Sequence, residues 1–325
     1  MAGDLTRLTA IAEGNGGLVT IANVQECGFT RSWASVRVNS DRWQRVHRGV
    51  YATFPTALTW DQRARAGLLF AGKQAALSHH ASGHLHGLIP AAPEVIEILV
   101  PHNTLLTPAT GLLVRRTRRR FAVVGNPRRT NLVDTVLDLA DDATRETDVL
   151  DILTGGIRKG AKPERVLREM ERRRYFENRS LLSELLARTP DGVESPLELR
   201  FHTNVTVAHG LPLPQRQVRE RVRGYWIRSD CWYEGFGLRV ELDGELAHPG
   251  RATHRDVLRD NDVLLMTGDV TLRYRWWHTL NGACVSAAQL ATGLNRGSWV
   301  GEPTPCGPRC TVVREYSKLR GTLWG

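Results

Sequence analysis

The chain has 325 residues and a net charge of +10, with 41% hydrophobic and 24% charged residues. That length allows two or three domains with real cores, and the balance is that of a folded globular protein rather than a disordered one. No stretch approaches the roughly 18 apolar residues of a membrane span, and Asp4 and Glu13 flank too short an apolar run for a signal peptide. A cytoplasmic protein that does not engage membranes is expected.

The positive charge is almost all arginine, since Lys73, Lys159, Lys162 and Lys318 are the only lysines. Guanidinium makes planar, bidentate contacts with phosphate and guanine, so this balance fits a nucleic-acid partner better than an acidic one. A GC-rich coding sequence would also give the Arg-for-Lys ratio, but not the net charge. The five cysteines (Cys27, Cys231, Cys284, Cys306, Cys310) are odd in number and scattered, as in a reducing compartment. Cys306 and Cys310 could clip the tail, but two ligands do not make a structural zinc site, which needs four.

The first fifty residues read as a winged helix-turn-helix. Leu5, Leu8, Ile11 and Ala12 recur at helical spacing, and Gly14-Asn15-Gly16-Gly17 ends that helix. Thr20 can cap a short helix over Ile21 to Glu26, Gly28 supplies a turn, and Thr30 caps a third helix to about Asn39. Arg42 to His47 alternates as a strand, Arg48-Gly49 turns, and Val50-Tyr51-Ala52 returns as a small wing. Arg31, Ser32, Ser35 and Arg37 are the candidates to face the major groove, and Arg45 and Arg48 suit phosphates.

Residues 4–125 resemble the N-terminal region of the abortive-infection AbiEi antitoxin family. The likeness rests on Gly28-Phe29-Thr30-Arg31-Ser32, on Arg42-Trp43-Gln44-Arg45-Val46-His47-Arg48-Gly49-Val50-Tyr51, and on Leu77 to Leu88. It implies a DNA-binding winged helix that commonly represses its own operon beside a toxin gene.

Within Leu77 to Leu88, His80 and His84 stand at i, i+4, the spacing of a zinc dyad, but no carboxylate lies between them and the nearest acid downstream is Glu94. Structural histidines are expected. From Ile98 to Val133 there is no acid, while Arg115, Arg116, Arg118, Arg119, Arg120, Arg128 and Arg129 accumulate, either as a solvated edge or as a phosphate-tracking surface. Helices are expected over Asn131 to Ala140, Glu146 to Leu153, Pro163 to Arg174 and Arg179 to Arg188, with Thr189-Pro190-Asp191-Gly192 as a linker.

The last domain opens with a helix at Ser195-Pro196-Leu197-Glu198. Strands follow over Gln217 to Val222 and Tyr225 to Asp230, then a strand holding Glu241, a helix at about Thr253 to Thr267, a strand at Val270 to Arg275, and a final helix over Ser286 to Leu294. This order fits a small α/β sandwich around a mixed sheet. In Ser229 to His248, alternation puts Glu241 and Asp243 on one face, and a hairpin pairing would stand Asp230 beside them. Carboxylates packed that closely call for a cation, most often Mg²⁺, and such sites suit phosphodiester hydrolysis. Asp230 could instead cap a turn, Asp243-Gly244 is a common turn pair, and Arg255 and Arg259 could neutralise the acids from one helix face.

Glu198, Gln215-Arg216-Gln217-Val218, Asp230, Val240-Glu241-Leu242-Asp243-Gly244, His248, Arg255-Asp256 and Arg259-Asp260 resemble, over about residues 193–280, the restriction-endonuclease-like superfamily, near its very-short-patch repair (Vsr) branch. The resemblance implies that Asp230 and Glu241 hold Mg²⁺ or Mn²⁺, Glu198 completes the site, and His248 moves a proton. Asp243 stands where the superfamily's Asp…Glu-x-Lys pattern has a lysine that orients the attacking water, and there is no lysine from 163 to 317. Gln217 could orient a water, though a glutamine on an edge strand is more often only solvated.

The expected fold is therefore α+β: a winged helix-turn-helix (1–55), an AbiEi-like helical and mixed middle domain (56–190), a restriction-endonuclease-like α/β sandwich with a mixed sheet (191–292) and a C-terminal tail (293–325). The expected function is a DNA-binding, Mg-dependent endodeoxyribonuclease of DNA repair or foreign-DNA defence, acting on double-stranded DNA. The alternative is an AbiEi-like transcriptional repressor or antitoxin with an inactive nuclease-like domain. A cognate toxin or repair partner is a second expected contact, and a winged helix reading a palindrome favours a homodimer.

Overall fold

A computed structural model describes residues 3–186, 196–244 and 254–323. The protein is α+β, with three separate sheets among the described residues, and folds as two compact units: Met1–Asp142 with Arg158–Glu177, and Ala143–Ile157 with Asn178–Gly325. Among the described residues no helix is long and apolar enough to cross a membrane.

In the first unit, α1 (Leu5–Gly14) begins at Asp4, whose carboxylate accepts from the Arg7 N–H at 2.9 Å. β1 (Leu18–Thr20) follows, a short strand that the glycine-rich context hid. Thr20 and Asn23 form a capping box that starts α2 (Ile21–Glu26), and the Thr30 hydroxyl caps α3 (Arg31–Asn39) through the Trp33 N–H. Gly28, at φ 81°, makes the turn between them. β2 (Gln44–His47) and β3 (Val50–Ala52) form a hairpin through Arg48-Gly49, and the sheet runs β1-β3-β2. Leu8, Val19, Val24, Ala34, Trp43 and Tyr51 make the core beneath these helices.

α4 (Trp60–Ala71), capped by Thr59 and Gln62, leads into β4 (Ala76–Leu77), α5 (His79–Leu85), β5 (Ile96–Pro101), β6 (Leu112–Thr117), β7 (Val123–Val124) and β8 (Arg129–Thr130). These strands form a mixed sheet of order β6-β5-β4-β8-β7. Then come α6 (Leu132–Asp142), α7 (Glu146–Arg158), which to Ile157 belongs to the second unit, and α8 (Pro163–Glu171).

The acid-free arginine run is not acid-free in space. Arg115 pairs with Glu97 on β5 and Asp142 on α6 (2.9 and 2.5 Å), and Arg119 bridges Asp134 and Asp138 of α6 at 2.6 Å each. Two of the seven arginines are thus fixed in charge networks, while Arg116, Arg118 and Arg120 remain exposed. The histidines are satisfied, as expected, but His80 has the acidic partner that the linear reading denied it: its Nδ1 lies 3.0 Å from Glu97. His84 Nδ1 meets the Ile89 carbonyl at 3.1 Å, and His86 Nε2 the Thr130 carbonyl at 2.9 Å.

In the second unit, α9 (Arg179–Leu186) and α10 (Pro196–Phe201) precede a π-helical segment, His202–Val207. β9 (Gln215–Val222), β10 (Tyr225–Tyr233) and β11 (Leu238–Leu242) form an antiparallel meander, and α11 (His254–Thr267) then crosses to β12 (Val270–Tyr274), which pairs parallel to β11. The order β12-β11-β10-β9 makes β10 and β11 the two central strands. α12 (Trp276–Thr279), α13 (Ala283–Arg296) and α14 (Val312–Leu323) complete the unit. α13 is longer at both ends than its apolar spacing indicates, and the tail contains α14. Phe201, Val205, Tyr233, Val240, Tyr274, Leu290, Leu294 and Tyr316 belong to its core.

Among the described residues the most deeply buried charged side chain is an arginine. Arg239 on β11 is 1% exposed, donates to Asp269 Oδ2 at 2.8 Å and Ser229 Oγ at 3.1 Å, meets Glu220, and lies 5.1 Å from the Trp232 ring centre. Burial of a guanidinium is tolerated only with such pairing.

Candidate active site and DNA-contact residues

The acids that sequence reasoning grouped lie on one region of the second unit's sheet. The β10–β11 register sets Cys231 opposite Val240, which stands Asp230 across from Glu241. Asp230 Oδ2 accepts the Leu242 N–H at 2.8 Å, so this carboxylate is fixed against the neighbouring strand. Glu198 reaches the same place from α10 and is 8% exposed. Gln217 links the two: its Nε2 donates to Glu198 Oε2 at 2.9 Å and to Asp230 Oδ1 at 3.3 Å. The nitrogen has to face the acids, because the amide oxygen would meet like lone pairs.

Gln217 is therefore not a solvated edge residue. Its backbone is left-handed (φ 54°), an uncommon state for a residue with a Cβ, and its Oε1 is buried without a hydrogen-bond partner among the described residues. A left-handed residue breaks the alternation from which its orientation was read.

Glu241 is 8% exposed. Burial pushes its carboxyl up from 4.5 to about 7; the Arg259 guanidinium opposes this, Asp230 adds to it, Arg273 opposes it and Asp260 adds to it. Arg259 on α11 lies 3.2 Å from Glu241 Oε2, the neutralisation foreseen for this helix. Asp243 lies just past the end of β11 and is spoken for by Arg273, at 3.1 Å, and more distantly by Arg275. Arg273, beside Glu241 in the parallel β11–β12 register, also pairs with Asp260. The site thus has cations from α11 and β12 where the lysine of the resembling superfamily would bring one from β11. His248 lies outside the described residues, as do Ser195 and the linker at 189–192, and the side chains of Arg255 and Asp256 are likewise outside the description.

Among the described residues, the group of His, Cys or carboxylate ligand atoms drawn within 4.8 Å of one another is His209, Cys284, Cys306 and Cys310. Glu198, Asp230 and Glu241 do not close to that extent. The sequence reading counted only Cys306 and Cys310; His209 and Cys284 are brought to them by the fold.

In the first unit, Arg31 and Ser32 are exposed at the start of α3, and Ser35 is half-buried one turn on, donating to the Arg31 carbonyl at 3.1 Å. Helical spacing puts these three and Asn39 on one face. Arg37 falls on the other side, its guanidinium 3.4 Å over the Trp33 ring, which itself stacks on Phe29 at 3.9 Å. This corrects its grouping with the groove-facing residues. Arg45 and Arg48 are exposed on the β2–β3 hairpin.

No protein-family model matches the chain, and no curated protein matches it. Among solved structures, it has a likeness to the RV2827C protein from Mycobacterium tuberculosis, at 14% identity and TM-score 0.40, over 57% of this chain and 82% of that one.

Proposed function

We propose that this protein binds double-stranded DNA through residues 1–55 and carries, within 191–292, a metal-dependent endonuclease site of restriction-endonuclease type. The observation that carries the second half is a buried Glu241 set across from Asp230, with Gln217 tying Asp230 to Glu198. A structural acid pair gains nothing from a third carboxylate and a left-handed glutamine; a hydrolytic site does.

The element order α1-β1-α2-α3-β2-β3 supports a winged helix, with α3 followed at once by a hairpin bearing Arg45 and Arg48. Arg31, Ser32 and Ser35 would read or position the duplex, and the hairpin arginines would meet phosphates. In the second unit, Arg221, Arg223, Tyr225 and Trp226 are all exposed at the tip of the β9–β10 hairpin, and cations interleaved with aromatic faces suit nucleic acid.

The donor set of Asp230, Glu241 and Glu198 is all carboxylate oxygen, which fits Mg²⁺ or Mn²⁺ by hardness. Asp230 and Glu241 would hold the ion, which when bound supplies an activated water and charge stabilisation at the leaving oxygen. Gln217 holds Glu198 and Asp230 in place, and Arg259 and Arg273 keep the acids from repelling one another in the free protein.

A second reading has a specific observation behind it. Arg259 stands 3.2 Å from Glu241 Oε2 and offsets part of the buried acid's charge without a metal, as in a nuclease-like domain that only binds, in an AbiEi-like repressor or antitoxin. Incubation of supercoiled plasmid and of mismatched or branched duplexes with wild type and Asp230→Ala, in Mg²⁺, Mn²⁺ or EDTA, separates the two. Cutting lost in EDTA and in the variant supports the nuclease. Salt-sensitive binding without cutting on any substrate moves the assignment to the repressor.

A further inference from the structure

His209, Cys284, Cys306 and Cys310 come from three separated parts of the chain. His209 follows the π-helical segment, Cys284 is the second residue of α13, and Cys306 and Cys310 bracket a turn before α14. We propose that these four side chains are a structural zinc site that fastens residues 298–311 to the rest of the second unit. The proposal is independent of the acids on β10 and β11.

Tetrahedral Zn²⁺, with Zn–S near 2.3 Å and Zn–N near 2.0 Å, requires neighbouring sulfurs ~3.8 Å apart and sulfur to nitrogen ~3.5 Å. The observed separations are 3.8 Å for Cys284 and Cys306 Sγ, 3.5 Å for Cys310 and Cys284 Sγ, and 3.6 Å for Cys310 Sγ and His209 Nε2. All four ligand atoms lie within 4.8 Å of one another. No two sulfurs approach the ~2.05 Å of a disulfide, and a bonded pair would leave a third thiol and an imidazole crowded on it for no reason.

The surrounding hydrogen bonds orient the ligands. His209 is fully buried, and its Nδ1–H donates to the Val205 carbonyl at 3.1 Å, which leaves the Nε2 lone pair toward Cys310. Fixing the second ring nitrogen in this way is the usual support of a metal-bound histidine. The His209 carbonyl accepts from the Thr304 N–H at 2.9 Å, and Cys310 N–H donates to the Gly307 carbonyl at 3.0 Å. That turn within Cys306-Gly307-Pro308-Arg309-Cys310 brings both thiols to one point.

Burial does not explain the cluster, since Cys306 is exposed and Cys284 and Cys310 are half-buried. The segment they hold has no regular structure, and the donor set of three thiolates and one imidazole selects zinc over Mg²⁺ or Ca²⁺. Four protein ligands leave no open position, so the ion is structural rather than catalytic.

The test is metal analysis of the full-length protein expressed with zinc and desalted, followed by Co²⁺ exchange. One zinc per chain is expected, and the cobalt form should have the intense visible bands and thiolate charge-transfer absorption of a tetrahedral sulfur-rich site. Cys284→Ser and Cys310→Ser should lower zinc to background. Because either variant could fail to fold, the wild-type protein decides alone. Wild type without zinc, in which Cys284, Cys306 and Cys310 alkylate at the same rate with zinc as without it, would overturn the proposal. So would the weak spectrum of an octahedral cobalt site.

Discussion

Glu241 and Arg259 face each other at 3.2 Å across β11 and α11, so a buried acid of the candidate site already has a cation beside it. The pairing is incomplete, because burial still holds the carboxyl near 7. A group in that condition is a proton store at neutral pH and a ligand for a stronger cation. Arg259→Ala should raise the Glu241 value further and shift any metal-dependent activity to higher pH. Unchanged pH profiles for wild type and variant would mean the pair has no part in the site.

The raised carboxyl has a stability consequence of definite sign. With an unfolded value of 4.5 and a folded value of about 7, the native state holds the extra proton between these limits. Stability from this group is therefore full below 4.5 and is lost as pH rises through about 7. Glu241→Gln should match wild type near pH 4.5 and be more stable at pH 8, by up to roughly 3 kcal/mol from the size of the shift. Urea midpoints for both proteins across this range measure it; parallel curves would contradict the burial argument.

Glu97 has the opposite sign. Burial opposes its ionisation, but the His80 side chain, the His80 N–H and Arg115 together hold it near 2. Its contribution is present above 4.5 and is lost as pH falls through about 2. Glu97→Gln should destabilise the first unit at pH 7 and leave that acid loss smaller. Thermal melts at pH 7 and pH 3 compare the two; an equal fall in both proteins would contradict it.

The arginines of the first unit should separate into two behaviours. Arg45→Ala and Arg48→Ala should weaken duplex binding on every sequence, and each should reduce the salt slope by about 1. Arg37→Ala should instead lower stability, by about 1 kcal/mol or less, because it removes a cation over the Trp33 ring. Binding titrations over a salt series beside chemical denaturation distinguish them. Equal loss of binding in all three variants would contradict the assignment of Arg37.

Breaking the buried Arg239–Asp269 pair should be the costliest of these changes. Asp269→Ala leaves a 1% exposed guanidinium short of its partner and should cost ~3–5 kcal/mol. A change below about 1 kcal/mol in chemical denaturation, the worth of an exposed pair, would mean that Ser229 and Glu220 suffice.

Local signals carried much of this fold in the sequence. Thr20 and Thr30 cap the helices read from them because a cap acts over three residues, and the meander around Asp230 and Glu241 follows from alternation. What failed was long-range or broke the local rule. Arg115 and Arg119 lie in an acid-free stretch, yet meet acids that β5 and α6 bring from elsewhere. Gln217 took a left-handed backbone that no alternation pattern contains. Cys306 and Cys310 were half of a four-ligand set whose other half stands at Cys284 and His209, far off in the chain. An isolated Cys-x₃-Cys with a distant cysteine and histidine is the signal that could have raised the question.

Asp230 and Glu241 are proposed to form a site for a hard divalent cation. Mn²⁺ titrated into the protein and followed by electron paramagnetic resonance tests this apart from any choice of DNA substrate, since manganese does not favour a thiolate site. Saturable binding that Mg²⁺ competes away, and that both Asp230→Asn and Glu241→Gln abolish, is the predicted result. Free Mn²⁺ signal at every ratio in the wild-type protein, at pH 8 where Glu241 is ionised, would contradict it.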